Sequence, residues 1–164
     1  MSADKPRVRP VRAKSLLQLL GRKGARLIVL KSGKILFVSR EPGVKPLLEL
    51  TALFPSGLNG ATVVDRIVGT CAGSIFIHLR VKEVIARTMS AHAALRLREA
   101  QIPFYYETLV AEISNRTGTG ICPFEQLARQ CTQPEMLIAR MREKIKMGEQ
   151  SPPIKSNKHL SPQF

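Results

Sequence analysis

Hydrophobic positions recur along this chain with two different spacings. Leu16, Leu17, Leu19 and Leu20 share one helical stripe that Gly21 and Gly24 stop, which predicts a packing helix over 14–22. Next come two β-rich runs, Arg26 to Lys31 and Lys34 to Ser39, joined by Ser32-Gly33. They predict a tight hairpin, and their nearly continuous apolar character predicts a sheet covered on both faces. Glu41-Pro42-Gly43 is a turn, and Leu47, Leu48, Leu50, Leu53 and Phe54 place a helix over 44–54. After a loop over 55–60, Val64, Ile67, Val68, Cys71, Ile75 and Leu79 recur at steps of three and four, so 61–79 reads as one long buried helix.

The second half alternates strands with helices. Val81 to Met89 reads as a strand, Ser90 as an N-cap, 91–101 as a helix and 102–108 as another strand. A strand–helix–strand unit implies a right-handed crossover and a parallel pair. A short helix is expected at 109–114, a helix at 123–129 and a last one at 134–146. The fold class is therefore α/β.

Of 164 residues, 26 are Lys or Arg and 12 are Asp or Glu, for a net charge of +14. The excess is concentrated at the ends. Residues 1–26 carry eight cationic and one acidic residue, and residues 140–164 carry six and two. This divides the chain into a basic disordered arm (1–12), a single α/β domain (13–146) and a disordered polar and basic tail (147–164). The arms suit weak nucleic-acid contact, while the absence of Trp leaves few stacking platforms for single strands. Cys71, Cys122 and Cys131 include no C-x-x-C pair. Together with an N-terminus that lacks an apolar signal segment, they predict a cytoplasmic protein without a disulfide framework. No apolar run approaches the ~18 residues that span a bilayer.

The stretch with the most chemistry is Asn115-Arg116-Thr117-Gly118-Thr119-Gly120-Ile121-Cys122-Pro123-Phe124-Glu125. Pro123 suits the first helical position, which makes Cys122 the N-cap. Glu125 lies where a capping box would return its carboxylate to the cap amide. A thiol at the positive end of a helix dipole is a candidate thiolate nucleophile, or else only a residue that shapes a turn. Gly118, Thr119 and Gly120 offer a backbone cradle for a phosphate or carboxylate, to which Asn115 and Arg116 can add a hydrogen bond and a charge. A plain tight turn is the alternative. Asp65, read as lying near a helix start, and His92, two residues after the Ser90 cap, complete the candidate catalytic set. Cys71, His78, Glu107 and Cys131 read as packing or surface residues.

Four segments together, the hairpin at 27–39, Lys45 to Leu50, Gly60 to Gly69 and Asn115 to Glu125, resemble an uncharacterised prokaryotic family with a cytidine-deaminase-like fold. The resemblance runs over roughly residues 12–145. It implies a three-layer α/β/α sandwich with a mixed sheet. It departs at Thr70, where a lysine is usual. Zinc deaminases need a His/Cys-x-Glu motif at one helix start and P-C-x-x-C at another. Residues 61–66 (Ala-Thr-Val-Val-Asp-Arg) and 89–95 (Met-Ser-Ala-His-Ala-Ala-Leu) carry neither, so zinc-assisted deamination is disfavoured and no metal or cofactor is expected. The resulting expectation is a deaminase-fold protein that binds a small anionic or nucleotide-like ligand near Asp65, His92 and Cys122, with thiol chemistry at Cys122. The alternative is a non-enzymatic module whose basic ends contact RNA or an acidic protein.

Overall fold

Local backbone chemistry sets the first half of the fold, and a computed structural model describes residues 8–150. Helix α1 (Pro10–Arg22) leads into β1 (Leu27–Lys31) and β2 (Lys34–Ser39). Ser32 and Gly33 both take positive φ, 51° and 75°, the twist that matches a two-residue hairpin turn to the twist of its strands. Helix α2 (Lys45–Leu53), β3 (Thr62–Val68), α3 (Thr70–His78), β4 (Glu83–Ser90), α4 (Ala91–Glu99) and β5 (Phe104–Val110) follow, then α5 (Pro123–Gln130) and α6 (Pro134–Gln150).

The five strands form one mixed sheet in the order β2-β1-β3-β4-β5. β1 is antiparallel to both neighbours, whereas β3, β4 and β5 run parallel. Alternation along the strands splits the core in two. Ile28, Val64 and Ile85 meet Ala13, Leu17 and Leu20 of α1 on one face. Their neighbours Val29, Val63 and Val84 face the larger cluster built with α2 to α6 on the other. The sheet thus lies between one helix and five.

Three expectations are corrected. The helix predicted over 61–79 is a central strand followed by a helix, with Gly69 between them. A strand buried on both faces and a buried helix both read as unbroken apolar sequence, and the β-branched cluster Thr62, Val63, Val64, Ile67 and Val68 was the better guide. The helix expected at 109–114 is absent, because β5 runs to Val110 and the chain then turns into a bridge between Ser114 and Ile121. The sheet is not covered throughout either, since Lys34, Ile35 and Leu36 of the edge strand β2 are exposed.

Of the arm predicted for 1–12, residues 8–12 are described, and α1 begins at Pro10. Val8 is buried, and Arg12 donates to Glu83 at 2.5 Å and to Thr62 at 3.3 Å, while the Thr62 hydroxyl donates to Glu83 at 2.6 Å. This polar cluster pins α1 to the starts of β3 and β4. Likewise α6 continues to Gln150, beyond the boundary expected at 146. Residues 1–7 and 151–164, with the nucleic-acid contact predicted for them, lie outside the described residues. Among the described residues no helix is long and apolar enough to cross a membrane.

Leu17 is 1% exposed in the smaller core. Leu17→Ala is expected to cost roughly 2–5 kcal/mol in urea unfolding. A loss under 1 kcal/mol would mean that α1 does not cover that face of the sheet.

Candidate functional site

The carboxyl ends of parallel strands are where open α/β sheets leave room for ligands. Here a cleft of about 610 Å³ opens there, lined from β3 by Asp65 and Ile67, from α3 by Cys71 and Ala72, and from α5 by Cys122 to Glu125. Arg26, Glu41 to Val44 and Ile113 to Thr117 close its sides. Three helix starts therefore converge on one space: those of α2, α3 and α5.

The α3 start is the best defended. Gly69 is its N-cap and has no side chain to offer. Glu125 of α5, 2% exposed, takes over that role, accepting from the Thr70 amide at 2.6 Å and from the Thr70 hydroxyl at 2.6 Å. A capping box within α5 was expected. Instead the Cys122 amide donates to the carbonyl of Ile113 at 2.8 Å, which frees Glu125 to reach the neighbouring helix. Gly69 makes that approach feasible, because a Cβ there would lie 2.5 Å from Glu125 Oε2 and 2.9 Å from Ile113 Cγ1.

The starts of α2 and α5 carry no such cap. Their N-cap residues, Val44 and Cys122, make no side-chain capping bond. Both helices have Pro in the first two positions, which reduces the number of unpaired N–H groups without removing the positive end of the dipole. Arg116 leans over the same region, its guanidinium 3.7 Å from where a Cβ on Gly43 would stand.

Asp65 is in a strand rather than at a helix start, on the face of the sheet turned toward the cleft. Its Oδ1 accepts from the Ile67 amide at 3.2 Å. Although part of the residue remains accessible, burial pushes its pKa up from 3.8 to about 7, against the opposing pull of the Ile67 and Arg66 amides and of Arg26. Cys71 moves the same way. Burial first, then the neighbouring Cys122, Glu125 and Cys131, push its thiol to about 12, with Arg96 only partly offsetting them. At neutral pH it is a packed thiol, 3.4 Å from the Met141 sulfur.

Of the residues singled out in the sequence, Asp65, Cys122, Asn115 and Arg116 do come together around this cleft. His92 does not. It follows the Ser90 cap as expected, with Ser90 accepting from the Ala93 amide at 3.1 Å, but it is exposed and outside the lining. Gly118, Thr119 and Gly120 line a separate shallow depression of about 270 Å³. Two of the amides expected to cradle an anion are used within the loop, where Thr119 N–H donates to Asn115 Oδ1 at 3.0 Å and Gly118 N–H to the Asn115 carbonyl at 3.1 Å. Asn115 thereby stiffens the loop that presents Arg116. Sequence reasoning missed Gly69 and the inter-helix role of Glu125. A glycine between a β-branched run and Thr70-Cys71 was the available signal.

Zinc chemistry would need several soft or imidazole ligands around one point. The helix starts at the cleft read Val44-Lys45-Pro46-Leu47, Thr70-Cys71-Ala72-Gly73-Ser74 and Cys122-Pro123-Phe124-Glu125, with two thiols, Cys71 and Cys122, and no imidazole among them. Among the described residues no group of three or more His, Cys, Asp or Glu side chains is placed to hold a metal ion. The residues present do not fit a catalytic zinc.

A family model described as a domain of unknown function (DUF1893; TM1506) matches residues 15–145. A crystal structure of a DUF1893 family protein (TM1506) from Thermotoga maritima is similar to this chain with a TM-score of 0.75 and 27% identity, covering 88% of this chain and 97% of that one. No curated protein matches.

Two stability measurements test the site's construction. Gly69→Ala is expected to cost roughly 2–3 kcal/mol by forcing Glu125 off Thr70. Gly73→Ala, where the nearest atom to an added Cβ is at an ordinary 3.5 Å, should be neutral or stabilise by up to ~1 kcal/mol. Equal effects would contradict the packing around Gly69. For Asp65 the folded state keeps its proton to about pH 7 and the unfolded state loses it near 3.8, so between those values the folded state holds more protons. Stability therefore falls as pH rises from 4 to 7 and stays reduced above that. Asp65→Asn removes this loss and should gain about 2 kcal/mol on wild type between pH 4.5 and 8, allowing for the water that still reaches the carboxyl. A stability difference that does not change with pH would rule the shift out.

Proposed function

The chain belongs to the DUF1893 family of domains of unknown function, and for this member we propose a cytidine-deaminase-like protein that binds a small anionic or nucleotide-like ligand without catalytic zinc. The layering of helices on a mixed sheet, with the cleft at the carboxyl ends of parallel strands, supports the deaminase-like assignment. The observation that carries the ligand reading is the convergence of the uncapped α2 and α5 starts and of Arg116 on one cleft. The two helix dipoles, the first-turn amides of α5 and a guanidinium favour negative charge, and the apolar walls, among them Pro46, Leu47 and Phe124, suit a flat organic body attached to it. Cys122 stands half-buried at the same place and supplies a thiol to whatever binds there.

The test is a thermal-shift titration with nucleoside monophosphates and inorganic phosphate. At least one of them is expected to raise Tm by several degrees at saturation and to slow alkylation of Cys122 by iodoacetamide. Arg116→Gln should remove most of that shift. If no compound stabilises the protein, or if Arg116→Gln leaves the shift intact, the reading fails.

A further inference from the structure

An anion entering this cleft meets a carboxyl group on its floor. Asp65 comes from the central strand β3, opposite Leu27 of β1 and Ala86 of β4, and lines the space that Arg116 and the starts of α2 and α5 also reach. We propose that Asp65 is the specificity-determining residue of the cleft, admitting an anionic ligand only together with a proton on its own carboxyl. This rests on the anion-binding reading above and adds a condition to it.

The surrounding charges have to be weighed together. Arg26, just before β1, lowers the cost of a charge on Asp65 but does not cancel the effect of burial. Arg66, next along β3, also lines the cleft, with its Nε donating to the carbonyl of Ala25 at 3.0 Å. Glu41 on the β2–α2 turn and the Glu125 carboxylate under Thr70 add negative potential, and Arg116 opposes it from the rim. Cys71 stays protonated at neutral pH, and Cys122 faces the cleft from α5. Two acidic groups already bear on the space. A third, ionised beneath a bound anion and partly shielded from water, would oppose binding strongly.

Neutral Asp65 removes that repulsion and offers an O–H donor to the ligand. With the carboxyl titrating at about 7 in the free protein, roughly one molecule in eleven carries the proton at pH 8, against nine in ten at pH 6. Anion affinity should therefore weaken about tenfold between those values, with one proton taken up on binding at the higher pH. The sign follows from the charge. A cationic ligand would show the opposite dependence.

Sulfate is the suitable probe, because its own charge does not change over this range. Its dissociation constant is obtained from the rise of Tm with sulfate at fixed ionic strength, at pH 6 and pH 8. Wild type is expected to bind about tenfold more weakly at pH 8, while Asp65→Asn binds equally at both and as tightly as wild type at pH 6. Equal wild-type affinity at the two pH values, with Arg116→Gln weakening both, would overturn the proton coupling and leave the anion site standing. Absence of any sulfate effect sensitive to Arg116→Gln would overturn the anion reading and this proposal with it.

Discussion

A single buried carboxylate joins two of the three helix starts around which the cleft is built. Glu125 leaves α5 to cap α3, and both of its oxygens are satisfied by one residue, Thr70, through the amide and the hydroxyl. Burying such a group without partners would cost several kcal/mol, so the contact defines a narrow geometry rather than a loose attraction. α5 can sit only where its third residue reaches the first turn of α3. That position also places Cys122 at the rim and draws the 111–121 loop, through the Ile113 carbonyl and the Ser114–Ile121 bridge, across the end of the sheet.

The glycine before Thr70 belongs to the same constraint. Any side chain at position 69 would occupy the volume that Glu125 Oε2 and Ile113 already fill. Backbone and carboxylate are thus fitted to each other over a separation of 55 residues. The rest of the larger core is tolerant by comparison, since leucines, isoleucines and a phenylalanine can exchange volume with neighbours while a hydrogen-bonded carboxylate cannot.

Much of the scaffold is legible in the sequence. The Ser32-Gly33 hairpin, the Ser90 cap and the Cys122-Pro123 helix start are local chemistry, and each stands where the residues put it. Residues 61–79 were misread because burial removes the polar side of the pattern, leaving Gly69 as the one interruption between strand and helix. The same error placed Asp65 on a helix. Its position at the cleft was nevertheless anticipated, because the carboxyl end of β3 and the start of α3 occupy adjacent space. The role of Glu125 was not legible at all. Its spacing from Cys122 fits a capping box, and only the tertiary competition for the Cys122 amide by Ile113 decides otherwise. His92 shows the converse failure, a correct local position at a helix start that is exposed and outside the cleft lining.

The distribution of caps also bears on the ligand charge proposed for the cleft. Three helix starts bring three positive dipole ends to one place, but Glu125 quenches that of α3 from within the protein. The starts of α2 and α5 have no side-chain cap from Val44 or Cys122, although at α2 the Leu47 amide is taken by the Val44 carbonyl at 3.0 Å. An anion at the third start would have to displace a buried carboxylate. In the proposed reading negative charge therefore sits on the side where Arg116 stands and away from Cys71, whose thiol packs against Met141. Pro46 and Leu47 line the same cleft, so the proposed ligand would set its anionic group against Arg116 and its hydrophobic body against α2.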